Sequence, residues 1–183
     1  MKKAKGENVR SPRGETAKKN RIGNPLDFIA EDHMREREVC ALIDRLVDLV
    51  AISAEERATI LDFLQEQLPH HLQDEQIDLF PMMLERCDPE EEIDKVIDRL
   101  TSDHGHAIAD APAVVALIKA QGRELTPEAS TVLTEFARHA RRHLVLENAI
   151  ILPIARTRLT KEDLRIMKDH MQERRGLDAT EEI

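Results

Sequence analysis

Four histidines and two glutamates recur in this sequence at matched spacings. His33 and His71 are 38 residues apart, and His104 and His143 are 39 apart. Each second histidine is followed four positions on by a glutamate, Glu75 or Glu147, and six positions later by a proline, Pro81 or Pro153. On a helix, residues i and i+4 share a face, so His71–Glu75 and His143–Glu147 each aim two donor groups one way. Four imidazoles and two carboxylates converging inside a protein demand a compensating cation, because a buried, unpaired carboxylate is costly. Mixed nitrogen and oxygen donors favour iron, manganese or zinc over magnesium or calcium. The simplest division gives His33 and His71 to one ion and His104 and His143 to another, with Glu75 and Glu147 bridging. A solvent-derived oxo or hydroxo bridge would complete the set. Each ion would then keep one open position for O2, peroxide or nitric oxide.

The elements needed to position these residues are readable around them. From Leu26 to about Val50, a broad apolar stripe runs through Phe28, Ile29, Val39, Leu42, Ile43, Leu46 and Leu49 and includes His33. Ser53-Ala-Glu-Glu56 is a capping box that opens a second helix, through Ile60, Leu61, Leu64 and Leu68 to about Arg86. Pro69 and Pro81 should kink or break it. Asp88-Pro-Glu-Glu91 is a second capping box for a third helix, which is disturbed at Pro112 and stopped by Gly122. Thr126-Pro127 opens a fourth helix ending near Arg156, and Thr160-Lys-Glu-Asp163 caps a shorter fifth, closed by Gly176. The reading is all-α: an antiparallel up-down four-helix bundle with an additional C-terminal helix. In such a bundle, residues equally far from a turn lie at one level, because each helix climbs about 1.5 Å per residue. The midpoint of 33 and 71 is 52, that of 71 and 104 is 87.5, and that of 104 and 143 is 123.5. Each falls in a predicted turn, so the spacing predicts four histidines in one layer, one per helix.

The remaining composition narrows the function classes. With no Trp, no Tyr and four Phe, tyrosyl-radical chemistry has no residue to use and base stacking has few. No run approaches 18 apolar residues, so no membrane-spanning helix is expected. The N-terminal basic residues lack an apolar stretch behind them, and Cys40 and Cys87 form no Cys-x-x-Cys pair. The reading is a cytoplasmic protein with reduced thiols. Residues 1–24 carry eight basic and two acidic side chains, which leaves −15 on the rest of a chain of net charge −9. They read as a disordered basic tail, either a solubilising leader or an arm for an acidic partner. The acidic body argues against nucleic acid. Residues 25–158 then form the bundle. Residues 159–183, a C-terminal helix and tail, lid it or supply an oligomer surface.

His33, His71-x-x-x-Glu75, Leu79-Phe80-Pro81, His104, and His143-x-x-x-Glu147 with Leu152-Pro153 together resemble the hemerythrin-like, or HHE cation-binding, domain family. The resemblance spans roughly residues 26–156. It implies a four-helix bundle around a non-haem centre of two iron ions, unlike the ferritin-like arrangement in which Glu precedes His by three. Respiratory hemerythrins carry a further histidine four residues after the third-helix ligand. Here that position is Ile108. One ion would be less saturated, which points away from reversible oxygen transport and toward sensing or reactive chemistry. His139, four residues before His143, is a candidate replacement ligand, or a surface histidine in the basic run Arg138–Arg142.

The leading expectation is a di-iron protein that binds O2, peroxide or NO, or that senses iron or redox state. The alternatives are a peroxidase- or ferroxidase-like enzyme at the same centre, and a structural or zinc-binding helical bundle. His70, His106 and His170 read as surface or supporting groups. Asp32 and Asp103, each preceding a ligand histidine, read as acceptors for an imidazole or as ordinary acidic residues near helix starts. Cys40 reads as a buried, inert thiol. Met82, Met83, Met167 and Met171 read as packing.

Overall fold

Asn24 begins the first helix. Its side chain accepts from the Leu26 amide at 2.9 Å, and Pro25 sits where a missing N–H costs nothing. This helix, α1, runs Pro25–Val47. It stops three residues short of the predicted Val50 because Leu49 turns left-handed at φ 59, letting the Val50 amide return to the Arg45 carbonyl. The computed structural model describes residues 22–120 and 125–177. The basic segment 1–21, Gly122 and residues 178–183 lie outside the described residues. Ile22, assigned from sequence to the tail, is instead 1% exposed and packs with Leu26 and Ile29 in the core.

Four more helices follow, and no strand occurs among the described residues. Helix α2 covers 54–86, opened by the Ser53–Glu56 capping box. Helix α3 is Ile93–Lys119. The Asp88–Glu91 box does not open it. It closes a single turn, Pro89–Glu91, after which Glu92 at φ 50 redirects the chain and α3 starts one residue later. Helix α4 covers 127–158, with Thr126 accepting from the Ala129 amide. Helix α5, Lys161–Arg174, has the Thr160–Asp163 box. Asp163 also takes two hydrogen bonds from Arg86 at 2.8 and 2.9 Å, tying the start of α5 to the end of α2. That guanidinium holds the Asp163 carboxyl well below the usual carboxylate range.

Pro69 and Pro81, predicted to kink or break α2, do not break it, and α4 likewise continues past Pro153. Before each one the helix widens by a π-helical turn. The Leu68 amide reaches back five residues to Phe63, Phe80 to Glu75, and Leu152 to Glu147. Proline ordinarily clashes with the carbonyl four residues earlier, and the wider turn relieves that crowding while the helix continues. Two of the three bulges begin at or beside a repeat glutamate, Glu75 and Glu147. Pro112 lies inside α3 without such a turn.

Packing closes the helices into a ring: α1 against α2, α2 against α3, α3 against α4, and α4 back against α1. Helix α5 lies on α1 and on the 74–79 turn of α2. The apolar residues form two clusters. One holds Ile29, Leu79, Leu100 and Ile151 with Met167 and Met171 of α5; the other holds Val39, Leu68, Ala111 and Ala137. On each of the four ring helices the repeat residues fall between members of the two clusters. The histidines and glutamates therefore occupy a polar layer between two apolar blocks.

Candidate metal centre

All six repeat residues reach this layer. His33 comes from α1, His71 and Glu75 from α2, His104 from α3, and His143 and Glu147 from α4, and every one is buried. One donor atom each from His33, His71, Glu75 and Glu147 lies within 4.8 Å of the others. The same holds for Glu75, His104, His143 and Glu147. The two glutamates belong to both groups. Glu75 oxygens lie 3.6 Å from His33 Nε2, 3.6 Å from His71 Nε2 and 3.3 Å from His104 Nε2. Glu147 oxygens lie 3.2 Å from His33 Nε2, 3.8 Å from His104 Nε2 and 3.0 Å from His143 Nε2. All four imidazoles thus turn Nε2 inward. The His33 and His71 rings meet edge-on, with centroids 5.1 Å apart, and His104 and His143 are 4.8 Å apart. Phe80 stacks on His104 and holds its plane.

No nitrogen or oxygen of these six side chains has a hydrogen-bond partner. Buried polar atoms are nearly always paired, and orphans mark a missing ion or a functional site. Without a cation the groups can only neutralise one another. Burial by itself would lower the His33 imidazole, but the carboxylates of Glu147 and Glu75 overcome it and raise the group to about 10. His104 is raised to about 9 by the same opposition, and His143 is raised chiefly by Glu147 against its burial. Burial pushes Glu75 and Glu147 up, yet the surrounding imidazoles hold both below the usual range. Each of the two donor groups could hold a metal ion, and Glu75 and Glu147 are common to both.

The hemerythrin HHE cation binding domain profile matches residues 24–155. The chain belongs to the hemerythrin HHE cation-binding domain family. No match to a curated protein is found. The matched span contains all six clustered residues and ends before α5, so the fifth helix lies outside the hemerythrin HHE segment.

Other residues fall into place around the centre. Ile108, where the resemblance would have a further histidine, is 57% exposed and offers no donor. His139 is a third exposed; its Nε2 lies beside Arg138 and 3.7 Å from Glu135, and it is absent from both donor groups. It stands instead with His106, ring centroids 6.3 Å apart, at the edge of a cavity that also touches His104 and His143. Asp32 is buried but does not serve His33, which it precedes. It lies 3.7 Å from His71 Nδ1, too far for a hydrogen bond. Asp103 is half-buried and lies 3.7 Å from Arg142. Cys40 is buried against the Ala137 carbonyl, and burial pushes its thiol up to about 12.

Sequence reading missed two sets of residues. Asp74 and Asp78, adjacent in register to Glu75, are buried and held by Arg174 and Arg175 from the end of α5. His170 also pairs with Asp78, at 2.6 Å. The signal was available in the i, i+4 spacing of the two aspartates and the doubled arginine on an otherwise amphipathic helix. The second is Glu36, three residues after His33 and therefore on the same helix face, which is also buried.

Proposed function

We propose that this chain is a non-haem di-iron protein that binds a small oxidant or nitric oxide at its metal pair. His33 and His71 would hold one ion and His104 and His143 the other, with Glu75 and Glu147 shared between them. An antiparallel four-helix bundle with α5 laid against it is the arrangement that carries the centre. The observation behind this reading is the set of six buried side chains whose polar atoms lack any protein partner while the two carboxylates each face three imidazoles. A ferrous pair, when bound, supplies the capacity to bind and reduce O2, peroxide or NO. The chain supplies the rest: inward Nε2 atoms, two bridging carboxylates, and apolar blocks on both sides that keep bulk water out.

The two ends of the centre differ. The His104–His143 end borders a cavity of about 20 Å³, enough for one water or a diatomic molecule. His106 and His139 stand at its rim, toward solvent. A small ligand therefore has its approach at the second ion. The test is to load the purified protein anaerobically with Fe(II) and then admit air. Two irons per chain and new near-ultraviolet charge-transfer absorption are expected, both lost in His71→Ala. One iron per chain, or zinc retained in preference to iron from iron-replete cells, would overturn the di-iron reading.

A further inference from the structure

Three acidic side chains line the cavity beside the centre, half-buried Asp103, exposed Asp110 and Glu36, and of these Glu36 alone is buried. It lies on α1 one turn beyond His33 and is 5% exposed. Its Oε2 has no hydrogen-bond partner. It lines the 20 Å³ cavity together with His104, His143 and Phe136. A buried carboxyl group without a partner is costly to retain, and the apolar cluster above it, through Val39 and Cys40, provides nothing to pair with. The wall it faces carries His104 and His143, the second metal position. Glu36 is outside the donor groups that lie within 4.8 Å of one another, and the cavity between is large enough for one water.

Building on the di-iron reading, we propose that Glu36 completes the metal position of His104 and His143 from the opposite helix, acting through a single water in that cavity. Its charge offsets the cation's, and its reach across the cavity fixes the solvent molecule that an incoming ligand must displace.

The experiment is anaerobic titration of the full chain with Fe(II) by calorimetry, followed by Mössbauer spectroscopy of the 57Fe-loaded protein. Wild type, Glu36→Gln and Glu36→Leu are compared. Two irons are expected in wild type, in two environments. In Glu36→Leu the first iron binds unchanged, the second binds at least tenfold more weakly, and only one of the two Mössbauer doublets shifts. Glu36→Gln, which keeps the shape and loses the charge, should fall between them. The metal-free melting temperature of Glu36→Leu should rise, because an unpartnered buried carboxyl is gone. A purely structural Glu36 would instead lower it. Two irons with unchanged affinities and doublets in both variants would overturn the role of Glu36 and leave the metal pair intact. A wild-type chain that takes up no iron overturns both.

Discussion

Asp74 and Glu75 are neighbours in sequence on α2, and both are 0% exposed. Their surroundings are opposite. Asp74 receives Arg174 at 2.8 Å and Arg175 at 2.6 and 3.1 Å, so its charge is balanced by permanent cations of the protein. Glu75 turns the other way, onto three imidazoles, and neither of its oxygens has a hydrogen-bond partner. A helix places adjacent residues about 100° apart, so two carboxylates one position apart serve different faces. One face is a finished ion-pair network that locks α5 to α2. The other is left open for a cation. Burial of acid alone therefore says little about function. What distinguishes the two is whether the protein itself supplies the counter-charge.

The largest effect should come from undoing the finished side. Arg174→Met with Arg175→Met leaves Asp74 and Asp78 buried without their cations, and losing one partner of a buried pair typically costs about 3–5 kcal/mol. Urea unfolding should show that loss equally in metal-free and metal-loaded protein. A loss confined to the loaded form would mean that the arginines serve the metal centre and would erase the contrast. The open side should behave in the reverse manner. Ions bound at 100 times Kd add about 2.7 kcal/mol per site to the native state. Chelation should lower the melting temperature of wild type, and Glu75→Gln should abolish that difference.

A smaller effect separates the two faces by pH. His33 and His104 are raised from about 6.5 to about 10 and about 9 in the absence of metal. Groups raised on folding stabilise the native state fully below the unfolded value and lose that contribution as pH climbs through the folded value. Metal-free protein should therefore weaken between pH 6.5 and 10. Metal binding requires neutral imidazoles, so loading at pH 7.5 should release protons, visible as buffer-dependent heats in calorimetry, and affinity should rise with pH over the same window. Heats that are independent of the buffer would show that the imidazoles are already neutral. The smallest effect concerns the thiols. Cys40, buried on α1 one turn beyond Glu36, should resist alkylation in native protein while half-buried Cys87 reacts. Rapid modification of Cys40 would show that the apolar block above the centre is open to solvent.

The repeat made the six clustered residues legible in advance because helical register and turn symmetry are local. Spacing of four puts Glu75 beneath His71, and midpoints in three turns put four histidines at one level. The capping boxes at Ser53 and Thr160 were legible for the same reason, since a cap is a contact between residues three apart. Positions governed by backbone strain were less so. The π-helical turns ahead of Pro69, Pro81 and Pro153 keep α2 and α4 continuous where proline chemistry predicts breaks, and Glu92 at φ 50 delays α3 beyond its apparent cap. These depend on whether packing on both sides of a strained residue outweighs its local preference.

From the sequence alone came an all-helical chain and the residue types of a site for cations, because periodicity and spacing act within one helix or across one turn. Tertiary structure decided which acids are answered by arginine and which are not, that Asp32 stands by His71 rather than its own neighbour His33, and that Glu36 faces a cavity on the His104–His143 side. Each of those relations joins residues from different helices, and side-chain pairing across helices follows from how they pack, which no single helix's pattern contains.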